Sequence, residues 1–182
     1  MTPMTPMTPT TPGTDPLLDR ALVEEATKKS GLVWVEGPAG PSRALWHVWH
    51  EGAAVLVGDG PGEQPLPGLS DGVEAEVTVR SKDKGGRLVV WAATVAELVP
   101  RSPEWEAAVG ELKGKRLNAP DGEAMVDRWA RECRVVRLAP RAGGLRPLPE
   151  GSLAAPPVPT SATTRSPVPA SVPRLLFRKR RG

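Results

Sequence analysis

The chain predicts a mainly β domain with flanking helices, of the α+β kind, in which five or six strands run as a meander or Greek-key barrel. Three observations carry this. Short runs rich in Val, Trp and Thr follow one another between Gly- and Pro-rich turns. A tight "KGG" turn separates two of them, as in a hairpin. Helical spacing of apolar residues occurs only before the first run and after the last long one.

The elements follow in order. The first 14 residues repeat Met-Thr-Pro and can neither form a helix nor bury apolar surface, so they are expected to be disordered. Asp15 is placed to cap a helix whose first position is Pro16, with Leu18, Ala21, Leu22 and Ala26 on one face and a stop at Ser30-Gly31. "LVWVEG", "RALWHVWHEG" and "AAVLVGDG" read as strands, and the last leads into the loop "GDGPGEQPLPGLSDG". "VEAEVTVRSKD" and "RLVVWAATVAELV" form the hairpin. Two helices follow. The first has Ser102 as cap, Pro103 at its first position, and Trp105, Ala108, Val109 and Leu112 on one face. The second starts at Asp121 and aligns Val126, Trp129, Ala130 and Cys133. Val135-Val136 then returns to the sheet. The tryptophans at 34, 91, 105 and 129 are expected in the core, where the chain has one Phe and no Tyr to offer.

The domain is expected to span residues 15–139. From Pro140 on, nine prolines in 43 residues predict a disordered tail, residues 140–182, which folding does not need. Its last stretch, "RLLFRKRRG", is either a solvated end or a weak contact for membrane, nucleic acid or a partner. The tail carries about +7 of charge and residues 1–139 about −4, so the high pI gives no reason to expect nucleic-acid binding by the domain. Seventeen Arg against seven Lys, with no Ile, is the usage of a very GC-rich bacterial coding sequence. One cysteine, Cys133, excludes an intrachain disulfide and a multi-cysteine zinc cluster, and on an apolar helical stripe it reads as core. No apolar run approaches the roughly 20 residues that cross a bilayer. The opening segment lacks the basic and apolar regions of a signal peptide, so a cytoplasmic protein is expected.

Three stretches hold residues able to do chemistry. "ALWHVWHEG" contains both histidines, His47 and His50. Strand alternation puts Trp46, Val48 and His50 on one face and His47 and Trp49 on the other, so the two imidazoles diverge and do not suit one metal ion. His47 beside wide aromatics is a candidate hydrogen-bonding group in a ligand pocket. In "VTVRSKDKGGRLVVW", Arg80, Ser81, Lys82, Lys84 and Arg87 surround the hairpin turn. Fixed cations, a hydroxyl and glycines suit a phosphate, and equally a solvated turn. In "KGKRLN", basic residues suit a helix C-terminus, with Arg116 and Asn118 as weaker ligand candidates. No phosphate-binding P-loop and no dinucleotide-type Gly-x-Gly-x-x-Gly follows a strand. No residue is identified as a catalytic acid or base.

An opening helix, a strand and Gly-Pro turn, a strand bearing "WHVWHEG", a loop, a strand pair and a "SPEW" helix together resemble the pyridoxamine 5'-phosphate oxidase-like split barrels. That flavin-binding group includes the deazaflavin-dependent reductases of actinobacteria. The resemblance spans about residues 15–139 and rests on layout. It implies a split barrel of about six strands, a homodimer with the cofactor at its interface, and an oxidoreductase binding FMN or a deazaflavin coenzyme. It implies that Trp46, His47 and Trp49 line the ring or substrate pocket and that Arg80, Ser81 and Lys82 meet the phosphate. Members often carry a loop lysine for that phosphate; here the loop reads "GEQPLPGL", with Gln64 and no lysine. The alternative is a split barrel without cofactor or catalysis that binds a ligand or a partner protein.

Overall fold

The computed structural model describes residues 15–81, 86–117 and 121–147. Asp15 caps α1 (Pro16–Lys29), its carboxylate accepting from the Leu17 amide at 2.9 Å. The strands β1 (Leu32–Glu36), β2 (Arg43–Trp46), β3 (Val48–His50) and β4 (Ala53–Gly58) follow, then β5 (Glu74–Arg80) and β6 (Arg87–Glu97). Helix α2 (Pro103–Lys115) begins at Ser102, whose hydroxyl accepts from the Trp105 amide at 3.2 Å. A 3-10 turn at Gly122–Ala124 leads into α3 (Met125–Glu132), and β7 (Arg134–Arg146) ends the domain.

All strand pairs are antiparallel, in the order β2-β1-β5-β6-β7-β4-β3. The two edge strands are therefore consecutive in sequence, with His47 alone between them. One bent run of chain supplies both edges and brings the sheet round into a nearly closed barrel, which removes the exposed edges an open sheet would carry. The loop after β4 sits at this seam. The Gln64 side chain accepts from the Trp46 amide at 2.8 Å and donates to the Trp46 carbonyl at 2.9 Å, as a neighbouring strand would. The seven strands exceed the five or six expected because "RALWHVWHEG" is two strands, divided where it changes partners.

Inside the barrel lie Val33, Leu56, Val77, Trp91, Val95 and Leu138, all at most 1% exposed. A second cluster lies outside, where Trp105 and Leu112 of α2 and Met125 and Trp129 of α3 cover Val48, Val55, Val57 and Val135. Strand β4 is buried on both faces, Ala54 and Leu56 inward, Val55 and Val57 outward. That explains its unbroken apolar sequence. Each buried Val or Leu contributes about 1.5–3 kcal/mol.

The structure corrects four readings. Helix α1 packs Val23 and Ala26 on the barrel core and buries Thr27, whose carbonyl accepts from His47, leaving Leu18 and Leu22 61% and 47% exposed. Helix α3 proper begins at Met125, after the 3-10 turn. Trp34 lies on the outer face of β1 under a guanidinium and outside the core. Strand β7 continues past Ala139 to Arg146, with Leu145 paired to Trp91 and Arg146 to Val90. Pro140 is tolerated because the ladder is already irregular there. Residues 140–146 are thus part of the sheet, where composition suggested the start of a tail.

Candidate functional site

Strand alternation holds through the closing strand: Trp46 and Val48 belong to the outer cluster, while Trp49 packs inward, its ring 6.3 Å from that of Trp91 at 79°. His47 points to the side of α1. Its Nε2 lies 3.1 Å from the Thr27 carbonyl, which only accepts, so Nε2 carries the proton and Nδ1 is a bare acceptor. Nδ1 is buried without a partner among the described residues. Burial holds the His47 pKa below the ordinary histidine value, opposed in part by the Thr27 carbonyl. His50, on the other face, lies 3.9 Å from Glu51.

Two contiguous clefts meet at His47. One, about 350 Å³, runs between Lys28 and Ser30 at the end of α1, Trp49, and Glu111 of α2. The other, about 320 Å³, runs between Gly31, Trp46, Arg116 and Leu117. Both are lined by His47 and Lys115. The structure thus brings four sequence-predicted residues, Trp46, His47, Trp49 and Arg116, around one region. Arg116 lies 5.7 Å from the Trp46 ring centroid and donates to the carbonyls of Leu117 and Gly62, both at 3.0 Å. Lys115 has no ion pair among the described residues and adds a cation that sequence reasoning missed; its only signal was its place beside Arg116.

Arg80, Ser81 and Arg87 sit elsewhere on the sheet. Trp46 pairs with Leu32 of β1, and β1 pairs with β5, so Arg80 stands two strands away, about 10 Å at ordinary strand spacing. Its guanidinium lies 4.6 Å from the Trp34 ring centroid, and its Nε is buried without a partner among the described residues. The Ser81 amide donates to the Gly86 carbonyl at 2.8 Å, closing the hairpin. Arg80 and Arg87 are cross-strand partners where the ladder shifts register, and neither forms an ion pair among the described residues. Like charges directly opposite each other destabilise a strand pair. An anion between them removes that repulsion. Lys82, Lys84 and Asn118 lie outside the described residues.

The Gly/Pro loop does different work. The Glu63 side chain is fully buried and accepts from Arg128 Nη2 at 3.1 Å and from Trp129 Nε1 at 2.9 Å, with Arg116 Nε at 3.3 Å. Arg128 also binds Asp121 at 2.6 Å, which holds the Asp121 carboxyl below the usual range and raises the guanidinium's own pKa. Gln64, where the resemblance leads one to look for a lysine, is committed to the backbone of Trp46. Nothing in the sequence separated these residues from a ligand-binding loop.

No protein-family model matches the chain, and no curated protein does. Solved structures of similar trace include the heme storage protein HutZ from Vibrio cholerae, at 11% identity and TM-score 0.48 over 68% of this chain and 90% of that one. An FAD- and heme-binding protein from Mycobacterium smegmatis is similar at 14% identity and TM-score 0.44, over 85% and 94%. The flavocytochrome Anf3 from Azotobacter vinelandii is similar at 12% and 0.41, over 85% and 88%. At these scores the likeness carries no weight by itself. Among the described residues no helix is long and apolar enough to cross a membrane.

Proposed function

We propose that the chain binds a flavin, FMN or a deazaflavin coenzyme, and acts as an oxidoreductase. The observation that carries this reading is the cross-strand pair Arg80 and Arg87, two cations without a carboxylate partner among the described residues. Two strands away on the outer face, Trp46 offers aromatic surface and Lys115 a further cation. That donor set fits an anionic ligand with a planar ring. Arg80, Arg87 and the neighbouring Ser81 and Lys82 would hold the phosphate by charge-assisted hydrogen bonds, and Trp46, on the outer face, would line the ring. Bound flavin supplies the hydride chemistry; the chain binds and orients it and excludes water. His47 joins α1 to the closing strand and gives that pocket a fixed wall. This reading includes a homodimer, for which the outer face of β1, with Leu32 44% exposed beside Trp34, is available.

A second reading, a barrel that binds a ligand or partner without catalysis, is favoured by Gln64 and Arg116. Both are already spent on internal hydrogen bonds. Titration of the purified protein with FMN and with a deazaflavin, followed by absorbance, separates the two. Lys82→Ala weakens binding by more than about tenfold if that lysine meets the phosphate. Unchanged affinity assigns it to a solvated turn.

A further inference from the structure

A groove of about 420 Å³ lies away from the His47 clefts, between the first half of α1, the β3–β4 turn and the second half of β7. Its volume falls in the range of small-ligand sites. An interruption of the sheet makes room for it. Ala93 of β6 pairs with Pro140 and Trp91 with Leu145, so residues 141–144 of β7 bulge out opposite Ala92 alone. The bulge depends on its glycines. Gly143 has φ +63°, and a Cβ on Gly144 would lie 2.8 Å from the Arg141 carbonyl and 3.0 Å from that of Ala92.

The lining is an apolar floor with unspent polar groups. Val23, Trp91 and Leu145 form the floor. Trp91 is 0% exposed, and its Nε1 donor has no partner among the described residues. Arg137 Nε and Asp19 Oδ1 are also buried atoms without a partner among the described residues, while Arg137 Nη2 donates to the Glu51 carbonyl. Arg20 forms no ion pair among the described residues, and its guanidinium lies over Gly52, where a Cβ would sit 3.0 Å away. Two other charges are accounted for: Arg141 pairs with Glu74, and the Glu51 carboxylate is 65% exposed and turned toward His50. Buried donors and acceptors left unpaired each cost about 1–3 kcal/mol, and a ligand that pairs them recovers that cost.

We infer that this groove is a second ligand site, one that takes a small aromatic carboxylate bearing a hydroxyl or N–H group beside its acid. The planar guanidinium fork of Arg20 suits a carboxylate. Asp19 accepts from the neighbouring donor, and the ring lies on the Val23–Leu145 floor beside Trp91. A dianionic headgroup is disfavoured by Asp19. The site shares no residue with the proposed flavin contacts, so either can fail without the other.

Salicylate is the probe, added to the full chain and followed by the 15N-resolved indole resonances. Trp91→Phe identifies the Trp91 signal. The expected result is a saturable shift of that signal with Kd below about 1 mM. Arg20→Met, at an exposed residue without a structural partner, weakens binding at least tenfold, and the uncharged salicylamide binds the native protein at least tenfold more weakly. No shift of the Trp91 signal up to ten times that concentration overturns the proposal. So does equal affinity of Arg20→Met, or of salicylamide.

Discussion

The Gly/Pro loop after β4 and the β5–β6 hairpin are both polar, glycine-bearing connections, yet their charges are used in opposite ways. In the loop, Asp59 accepts from the Leu66 amide at 2.7 Å and pairs with Arg134 at 2.9 Å, Glu63 is enclosed by two arginines and an indole, and Gln64 clips the Trp46 backbone. At the hairpin, Arg80 and Arg87 are cross-strand partners, and neither meets an acid among the described residues. Polar groups saturated from within hold a fold together, and those left unsaturated await something from outside. The loop therefore holds the fold together, and the hairpin is where the proposed function looks for its phosphate.

That contrast is broken or sharpened by substitution. Glu63→Ala should have the largest effect, because it leaves Arg128 and Trp129 Nε1 without their buried acceptor. A loss of about 3–5 kcal/mol is expected in urea unfolding; a loss under about 1 kcal/mol would mean that the loop is not held from within. Gln64→Ala removes the amide at the seam and should cost about 1–3 kcal/mol.

The next effect is one of pH. His47 is held neutral by burial, so the unfolded chain binds the extra proton before the folded one does. Stability contributed by this residue is complete above the ordinary histidine value of 6.5 and falls as the pH drops below it. His47→Asn should flatten that stretch of the stability–pH curve; an unchanged slope would assign the dependence to another group. Arg87→Gln should have the smallest effect on stability, within about 0.5 kcal/mol and of stabilising sign, because it relieves the repulsion across the ladder. A marked loss would show that Arg87 has an internal partner.

The fold class was legible because barrels write themselves as short β-branched runs between turns, and the two caps at Asp15 and Ser102 were legible because capping is local chemistry. The turn of α1 was not. Leu18 and Leu22 mark a plausible apolar stripe, and the face the helix buries, with Val23 on the barrel core and the Thr27 carbonyl on His47, depends on partners far apart in sequence. The end of the domain was hidden for a similar reason. Pro140 and the glycines after it read as a tail, and their place in a bulged strand depends on β6, which local composition does not register. At the site, alternation correctly separated His47 from His50. Arg80 and Arg87 were expected around the hairpin turn, but their pairing, and the lack of an acid partner among the described residues, had to be seen in three dimensions. Trp34, expected in the core, proved to be the platform under Arg80.

The most direct test of the central claim is the affinity of FMN and of a deazaflavin for the native protein and for Arg80→Gln/Arg87→Gln, measured by equilibrium titration at low salt. The expected result is binding of at least one of them well below about 1 mM, weakened at least tenfold in the double variant while its melting temperature holds. No binding of either near that concentration, or equal binding by the double variant, would contradict it.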